Sequence, residues 1–360
     1  MKSKSEEIKI SIEDSFLKYF DYPSKNDYKW GYVSNNSKDY PRIIYEGEHK
    51  NNGDDVIFVK HFKIKSHLSY QDILKETYFL VLLKNQDYIV KLDNILLSSD
   101  KKHFFITFKG NNTNLKNLIA FRGENYLDNK SLIKWIVYQI TFGLYILHFN
   151  GIIHNDIKPA NILIDEEGNI TICDFGSATY KGKQSNSFTT LYTPPEFLYN
   201  QEIMRDEKSD MWALGVIMIE LHLRKDVYFN PGNEINFNTQ LKYILSKFGI
   251  KENLSKEEIN KLIFDNSNHD ECIKFEKEEI EKIHDEDAIK LIHNLITLNP
   301  KKRFSARQVL DSNYLAEYKD CDSFDLTKIE KPIDYEELFC ELNEEKFVNI
   351  YKKLAEKINA

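Results

Sequence analysis

Two hydrophobic patterns divide this chain. Between Tyr28 and Lys109 the apolar residues come in short runs rich in β-branched and aromatic side chains. Arg42-Ile-Ile-Tyr-Glu46, Asp55-Val-Ile-Phe-Val-Lys60 and His103-Phe-Phe-Ile-Thr-Phe108 predict strands, and a single helical pattern over Tyr70 to Leu83 interrupts them. From Asn114 onward helical spacing predominates. Leu132, Ile133, Ile136, Val137, Ile140, Leu144 and Leu147 mark one face of a long helix that stops at Asn150-Gly151. Asn161-Ile-Leu-Ile-Asp165, the turn Glu-Glu-Gly-Asn and Ile170-Thr-Ile-Cys-Asp174 then predict a hairpin. The apolar run from Met211 to Leu221, bounded by Asp210 and Glu220, is too short to span a bilayer and predicts a buried helix. Near the end Phe347, Ile350, Leu354 and Ile358 form an i, i+3, i+4 stripe that needs a surface to bury against.

Composition narrows the classes without choosing among them. At 360 residues the chain can bury a sizeable core, and 41% hydrophobic with 29% charged residues is ordinary for a globular protein. A net charge of -8 argues against nucleic acid or an anionic membrane as the main partner. Met1-Lys-Ser-Lys-Ser-Glu-Glu lacks the apolar stretch of a secretory signal. The four cysteines, Cys173, Cys272, Cys321 and Cys340, have no C-x-x-C spacing, which fits a reducing compartment inside the cell, cytoplasm or nucleus.

The chemistry is concentrated in His154-Asn155-Asp156-Ile157-Lys158-Pro159-Ala160-Asn161 and, after the hairpin, Asp174-Phe175-Gly176. These loops bring together a base, a lysine and two metal ligands, the minimum set for moving a phosphoryl group from a Mg-nucleotide to a hydroxyl. Asp156 would accept the hydroxyl proton, Lys158 would neutralise charge on the transferring group, and Asn161 and Asp174 would hold metal ions. Chance occurrence on two solvated loops is the competing reading; the strand-turn-strand context between the two motifs weighs against it.

The two motifs resemble the H-R-D-x-K-x-x-N and D-F-G signatures of eukaryotic protein kinases. The resemblance implies an α+β, two-lobed protein-kinase fold: a polar extension over residues 1–25, a kinase domain over 26–318 with a small β-rich lobe (26–109) and a large helical lobe (110–318), and a C-terminal extension over 319–360 that wraps back onto the body. It implies ATP and Mg2+ as cofactors and a protein substrate. Lys60 then resembles the strand lysine that binds nucleotide phosphates, or else is a surface lysine at a strand end, and Glu76 resembles its ion-pair partner. Ile44, Phe58, Lys109, Asn111 and Leu163 fall where the family contacts the rest of the nucleotide. Pro194-Pro195-Glu196 stands in place of A-P-E, and Arg303 is similar to the arginine that pairs with that glutamate. Ser209-Asp210-Met-Trp212 resembles the helix that anchors the catalytic loop.

Within the family the closest likeness is to the mitogen-activated and cyclin-dependent group, from Gln240 to Gly249 and along the tail. Asp320, Asp322 and Asp325 then resemble an acidic docking patch for basic peptides, and a solvated acidic loop reads them equally well. Several positions depart from the pattern. Ser37-Lys-Asp-Tyr-Pro-Arg42 occupies the place of G-x-G-x-x-G, so the glycines that let backbone amides approach phosphate are missing. Phe58 replaces a small alanine over the adenine. Asn155 replaces the arginine that meets an activation-loop phosphate, Ser185-Asn-Ser187 stands at T-x-Y, and Thr193 replaces an arginine linked to proline-directed specificity. Thr189 stands where serine/threonine kinases place a threonine beside the catalytic aspartate. Two functions follow from the same residues: a serine/threonine kinase, or a pseudokinase that binds nucleotide weakly and serves as a scaffold.

Overall fold

The structure, a computed structural model, describes residues 17–22, 25–35, 42–65, 67–110, 113–120, 129–184, 189–232, 234–250, 254–264, 277–319, 321, 329–331, 333–339 and 342–359. They belong to two units, one formed by Met1–Asn112 with Ile329–Ala360 and the other by Thr113–Lys328.

In the first unit β1 (Tyr28–Asn35), β2 (Arg42–His49), β3 (Asn52–Lys63), β4 (Leu92–Leu97) and β5 (His103–Lys109) form an antiparallel sheet in the order β1-β2-β3-β5-β4. Alternation along β3 sends Ile57 and Val59 to one face, where they pack with Trp30, Tyr45 and Phe105. Phe58 and Lys60 take the other face. Gly47 is required beneath Trp30, because a Cβ there would lie 2.7 Å from the indole ring. The first face is closed by Phe20, which is wholly buried and meets Trp30 and Phe105 edge-on at 5.6 and 5.2 Å. Lys25 fixes that segment by donating to the carbonyls of Leu17 and Phe20 at 3.1 and 2.7 Å. Part of the stretch read as a polar extension is therefore core. Phe20 lies in the aromatic-rich stretch Phe16-Leu-Lys-Tyr-Phe-Asp-Tyr22, and Leu17, Tyr19 and Tyr22 pack against the same core.

The helix α1 (His67–Leu82) is buried nearly all round because it has two partners. One side meets β4, and the other meets the C-terminal segment, where Tyr335 lies 5.3 Å from Tyr78 and 5.6 Å from Phe79. The C-terminal helix Glu344–Asn359 buries Phe347, Ile350 and Leu354, with Ile358 half-buried. Phe347 stacks on Tyr70 at 4.4 Å, and Tyr351 meets Phe104 edge-on at 5.8 Å. Lys84 reaches the helix end and donates to the Lys357 carbonyl at 2.5 Å. The apolar stripe thus has its surface, on the helix that carries Glu76.

In the second unit β6 (Thr113–Asn114) leads into α2 (Leu115–Ala120) and α3 (Lys130–Phe149). Asn129 caps α3 by accepting from the N–H groups of Ser131 and Leu132, and the helix ends at Asn150 and Gly151, whose φ of +71° suits a residue without Cβ. By length and composition α3 could cross a membrane, but two thirds of its apolar window is buried inside the unit, as expected of a core helix. Behind α3 lies the wholly buried run Met211–Leu221 of α5 (Glu207–Leu223), which follows the short α4 (Pro195–Tyr199). A helix apolar on every side belongs in an interior.

Candidate active site

The strand β7 (Ile152–Ile153) delivers the chain to the loop that begins at His154. Asp210 of α5 anchors that loop from below, its carboxylate accepting the backbone N–H of His154 and of Asn155, each at 2.9 Å. Burial pushes the Asp210 pKa up, but the hydrogen bond and charge of His148 at 2.9 Å, with His154 nearby, outweigh it and hold the group below its ordinary value. The His154 ring is fixed as well: Nε2 donates to the Cys173 carbonyl at 3.0 Å, which leaves Nδ1 to accept from the Asp156 N–H at 3.3 Å. His148, in the last turn of α3, has no motif that marks it in the sequence.

These anchors aim Asp156, nine-tenths buried. Lys158 Nζ lies 2.6 Å from Oδ2, the Thr189 hydroxyl donates to Oδ1 at 2.6 Å, and Lys158 also donates to Thr189 Oγ1 at 2.8 Å. Asn161 Nδ2 donates to the Asp156 carbonyl at 2.8 Å and to Oδ2 at 3.0 Å. Asp156, Lys158, Thr189 and Asn161 therefore form a single connected cluster.

Asn161 and Asp174 flank the hairpin of β8 (Ile162–Ile164) and β9 (Ile170–Ile172). The Cys173 N–H donates to the Asn161 carbonyl at 2.9 Å, which ties the two candidate ligand positions together at the open end. At the closed end Gly168 has φ +84°, and Asn169 N–H donates to Asp165 Oδ1 at 2.7 Å. Asp174 itself is left-handed at φ +65°, which turns the chain sharply into Phe175–Ser177. The Asn161 amide nitrogen is committed to Asp156, so Oδ1 is the atom it can offer a cation. Among the described residues there is no group of three or more His, Cys, Asp or Glu able to hold a metal. Two oxygen-bearing side chains with substrate phosphates completing the shell is the usual arrangement for Mg2+, and this donor set fits it.

In the first unit Lys60 and Glu76 form a buried ion pair at 2.5 Å, so Lys60 is not a surface lysine. Ile44 lies directly across from Lys60 in the sheet, and Phe58 lies across from Glu46 and Phe108. Phe58 is half-buried on the same face as Lys60. Phe108 was not singled out in the sequence; counting two residues on from Ile106, the cross-strand neighbour of Lys60, identifies it. Lys109 is largely exposed and 3.5 Å from Asp93. Leu163, in β8 of the second unit, is half-buried. Asn111, the loop residues Ser37 to Pro41, Ser185 to Ser187, and Asp320, Asp322 and Asp325 lie outside the described residues.

Below the Thr189 turn Tyr192 donates to both oxygens of Glu220, at 3.3 and 3.2 Å, and the Tyr228 N–H donates to Oε1 at 2.8 Å. Burial nevertheless lifts Glu220 from an ordinary 4.5 to about 8, with the Asp226 charge adding to the lift. A carboxyl raised in the native state contributes most below its unfolded pKa, and that contribution is lost as pH rises through about 8. Glu220→Gln keeps a neutral group in place. Its melting temperature relative to wild type should therefore climb by several degrees between pH 5 and pH 9, each pKa unit being worth about 1.36 kcal/mol. Thermal melts showing the same difference at both pH values would place the charge on Glu220 throughout.

A family model described as protein kinase domain matches residues 43–315. The chain is 32% identical over 270 residues to the mitogen-activated protein kinase HOG1 of Debaryomyces hansenii, covering 72% of this chain and 67% of the relative. It is 33% identical over 273 residues to the mitogen-activated protein kinase sty1 of Schizosaccharomyces pombe, covering 72% and 73%. A probable cell division protein kinase of Encephalitozoon cuniculi is 26% identical over 283 residues, covering 78% and 81%.

Proposed function

This chain belongs to the protein kinase family, and we propose that it transfers the γ-phosphoryl of Mg-ATP to a serine or threonine hydroxyl of a protein. The observation that carries the reading is the cluster at Asp156. A carboxylate that already accepts an alcohol proton donor from Thr189 at 2.6 Å is placed to accept one from a substrate. Lys158, 2.6 Å from the same carboxylate, neutralises charge on the group in transfer. Asn161 and Asp174 would hold Mg2+, which would supply charge neutralisation on the phosphates. Lys60, paired with Glu76, would bind phosphate oxygens, and the resemblance assigns Ile44, Phe58, Lys109, Asn111 and Leu163 to the rest of the nucleotide. The reading takes the acidic residues Asp320, Asp322 and Asp325 as a docking site for basic peptides and the reducing interior of the cell as the place of action.

A second reading, a scaffold that binds nucleotide weakly, is favoured by one observation. Phe58 shares its face with Lys60 and stands across from Phe108, so two phenylalanines occupy adjacent positions on the strand face that the resemblance assigns to the nucleotide. The Ser37 to Arg42 sequence adds that no glycines cradle the phosphates.

Thermal shift with Mg-ATP separates the two readings. Ligand bound only to the native state stabilises by RT ln(1 + [L]/Kd), about 2.7 kcal/mol at a hundredfold excess over Kd. Wild type should show a small shift, Phe58→Ala a larger one, and Phe58→Ala with Lys60→Met none. Phosphate transfer by the wild type to a generic basic protein should accompany the shift if the kinase reading holds. A strong wild-type shift that Phe58→Ala weakens would mean that the ring supports the base, and no shift in any variant, with no transfer, would leave the scaffold.

A further inference from the structure

We propose that Asn155 is a positioning residue: its side-chain amide latches the loop bearing Asp156 to the segment that follows Asp174, through neutral hydrogen bonds that require no phosphate. The proposal deepens the kinase reading and rests on it for its catalytic consequence.

The latch is visible atom by atom. Asn155 Nδ2 donates to the Ile153 carbonyl at 3.2 Å, the Ser177 carbonyl at 3.1 Å and Thr179 Oγ1 at 2.9 Å. Its backbone N–H goes the other way, to Asp210 Oδ1 at 2.9 Å. One residue therefore holds β7, the end of the Phe175–Ser177 turn, β10 (Thr179–Tyr180) and α5 together, immediately before the base. Its own φ is +67°, a conformation that asparagine tolerates better than most side chains do.

Other bonds join the two stretches farther from Thr179: the Lys181 N–H donates to the Gly151 carbonyl at 2.7 Å, and His154 Nε2 donates to the Cys173 carbonyl at 3.0 Å. Among the described residues the only ladder pairing the two segments is β7 with β10, two residue pairs long, Thr179 with Ile153 and Tyr180 with Ile152. So short a ribbon is not self-supporting. The three amide hydrogen bonds are buried and extend the ladder by one layer at the end nearest Asp156. Metal ligands Asn161 and Asp174 are held by a different element, the β8–β9 hairpin. Loss of the latch should therefore disturb the aim of Asp156 more than the metal ligands. Because every latch partner is a carbonyl or a hydroxyl, the tie stands whatever the modification state of Ser185 and Ser187.

The test compares Asn155→Ala, Thr179→Val and Thr179→Ser in the full chain, reading kcat, Mg-ATP affinity and backbone hydrogen exchange. We expect Asn155→Ala and Thr179→Val each to lower kcat tenfold or more while Mg-ATP affinity stays within threefold. Thr179→Ser keeps the acceptor oxygen and should retain wild-type kcat. The double variant should lose little more than either single one, and Ser185→Ala with Ser187→Ala should stay within twofold of wild type. Exchange at residues 178–181 should quicken in Asn155→Ala and Thr179→Val while α5 stays protected. Equal behaviour of Thr179→Val and Thr179→Ser, parallel losses in kcat and nucleotide affinity, or unchanged exchange at 178–181 would overturn the latch. If the wild type transfers no phosphate, the kinase reading fails, and the exchange pattern alone decides whether the latch exists.

Discussion

Asp156→Asn should remove almost all turnover and leave Mg-nucleotide binding close to that of the wild type. The substitution keeps the shape of the side chain, and an amide oxygen can still accept from Lys158 and Asn161 while its NH2 faces the Thr189 hydroxyl. What it cannot do is take a proton. A positioned general base contributes roughly 10²–10⁴-fold, about 3–5 kcal/mol of barrier, and the loss should fall in kcat. Asp174→Asn tests the proposed complementary role of this half-buried carboxylate on a left-handed turn, whose charge would matter for the cation. Metal-dependent nucleotide affinity should drop there, with a much smaller change in binding measured without Mg2+. Calorimetric titration of both variants with nucleotide, with and without Mg2+, makes the comparison. Equal loss of affinity in the two would end the division of labour between base and metal ligand.

What the sequence made legible follows the range of the interactions involved. The Asp156, Lys158, Asn161 and Asp174 set lies within 19 residues, so spacing alone put Asp156, Lys158 and Asn161 in reach of one another, and strand periodicity put Asn161 and Asp174 at the two ends of one hairpin. Lys60 and Phe58 were readable as neighbours on one strand face, since alternation alone puts them there. Other features depend on partners that spacing cannot name. Phe20 closes the sheet from the aromatic stretch Phe16 to Tyr22, a local signal present in the sequence, but the spacing of that stretch does not name Trp30 and Phe105 as its partners. The stripe from Phe347 to Ile358 announced a buried helix but not Tyr70 and Phe104 as its surface. His148 fixes Asp210 from the last turn of a helix read only as core. The Asn155 amide is the sharpest case: the sequence shows a missing guanidinium, and only the fold shows that a smaller group has taken on Ser177 and Thr179.

Arg303→Ala should lower the melting temperature further than Asp156→Asn, Asn155→Ala or Glu220→Gln. Its guanidinium is wholly buried and grips Glu196 with both terminal nitrogens, at 2.8 and 3.0 Å. The same nitrogens donate to the carbonyls of Lys208 at 2.7 Å and Thr297 at 3.0 Å, and the group lies 5.1 Å from the Trp212 ring centroid. Lys208 in turn donates to the Arg303 carbonyl. Past α5 the chain forms α6 (Phe237–Lys247), α7 (Lys256–Phe264), α8 (Lys277–Ile280) and α9 (Glu286–Leu295), and Arg303 sits in the loop that follows. One side chain thus joins α4, the start of α5 and the loop after α9. Truncation would leave the Glu196 carboxylate buried without its partner, a situation that costs roughly 3–5 kcal/mol, or about 6–20 °C for a unit of this size. Arg303→Lys should recover little, because a lone ammonium cannot reproduce the two-pronged contact. Removing both charges is the informative control: Glu196→Gln with Arg303→Met should be less damaging than Arg303→Ala, since no buried charge remains unpaired. Calorimetric melts of wild type and these three variants give the comparison directly. A shift below about 2 °C in Arg303→Ala, or a double variant more damaging than Arg303→Ala itself, would show that the pair is incidental to how the helical unit is held together.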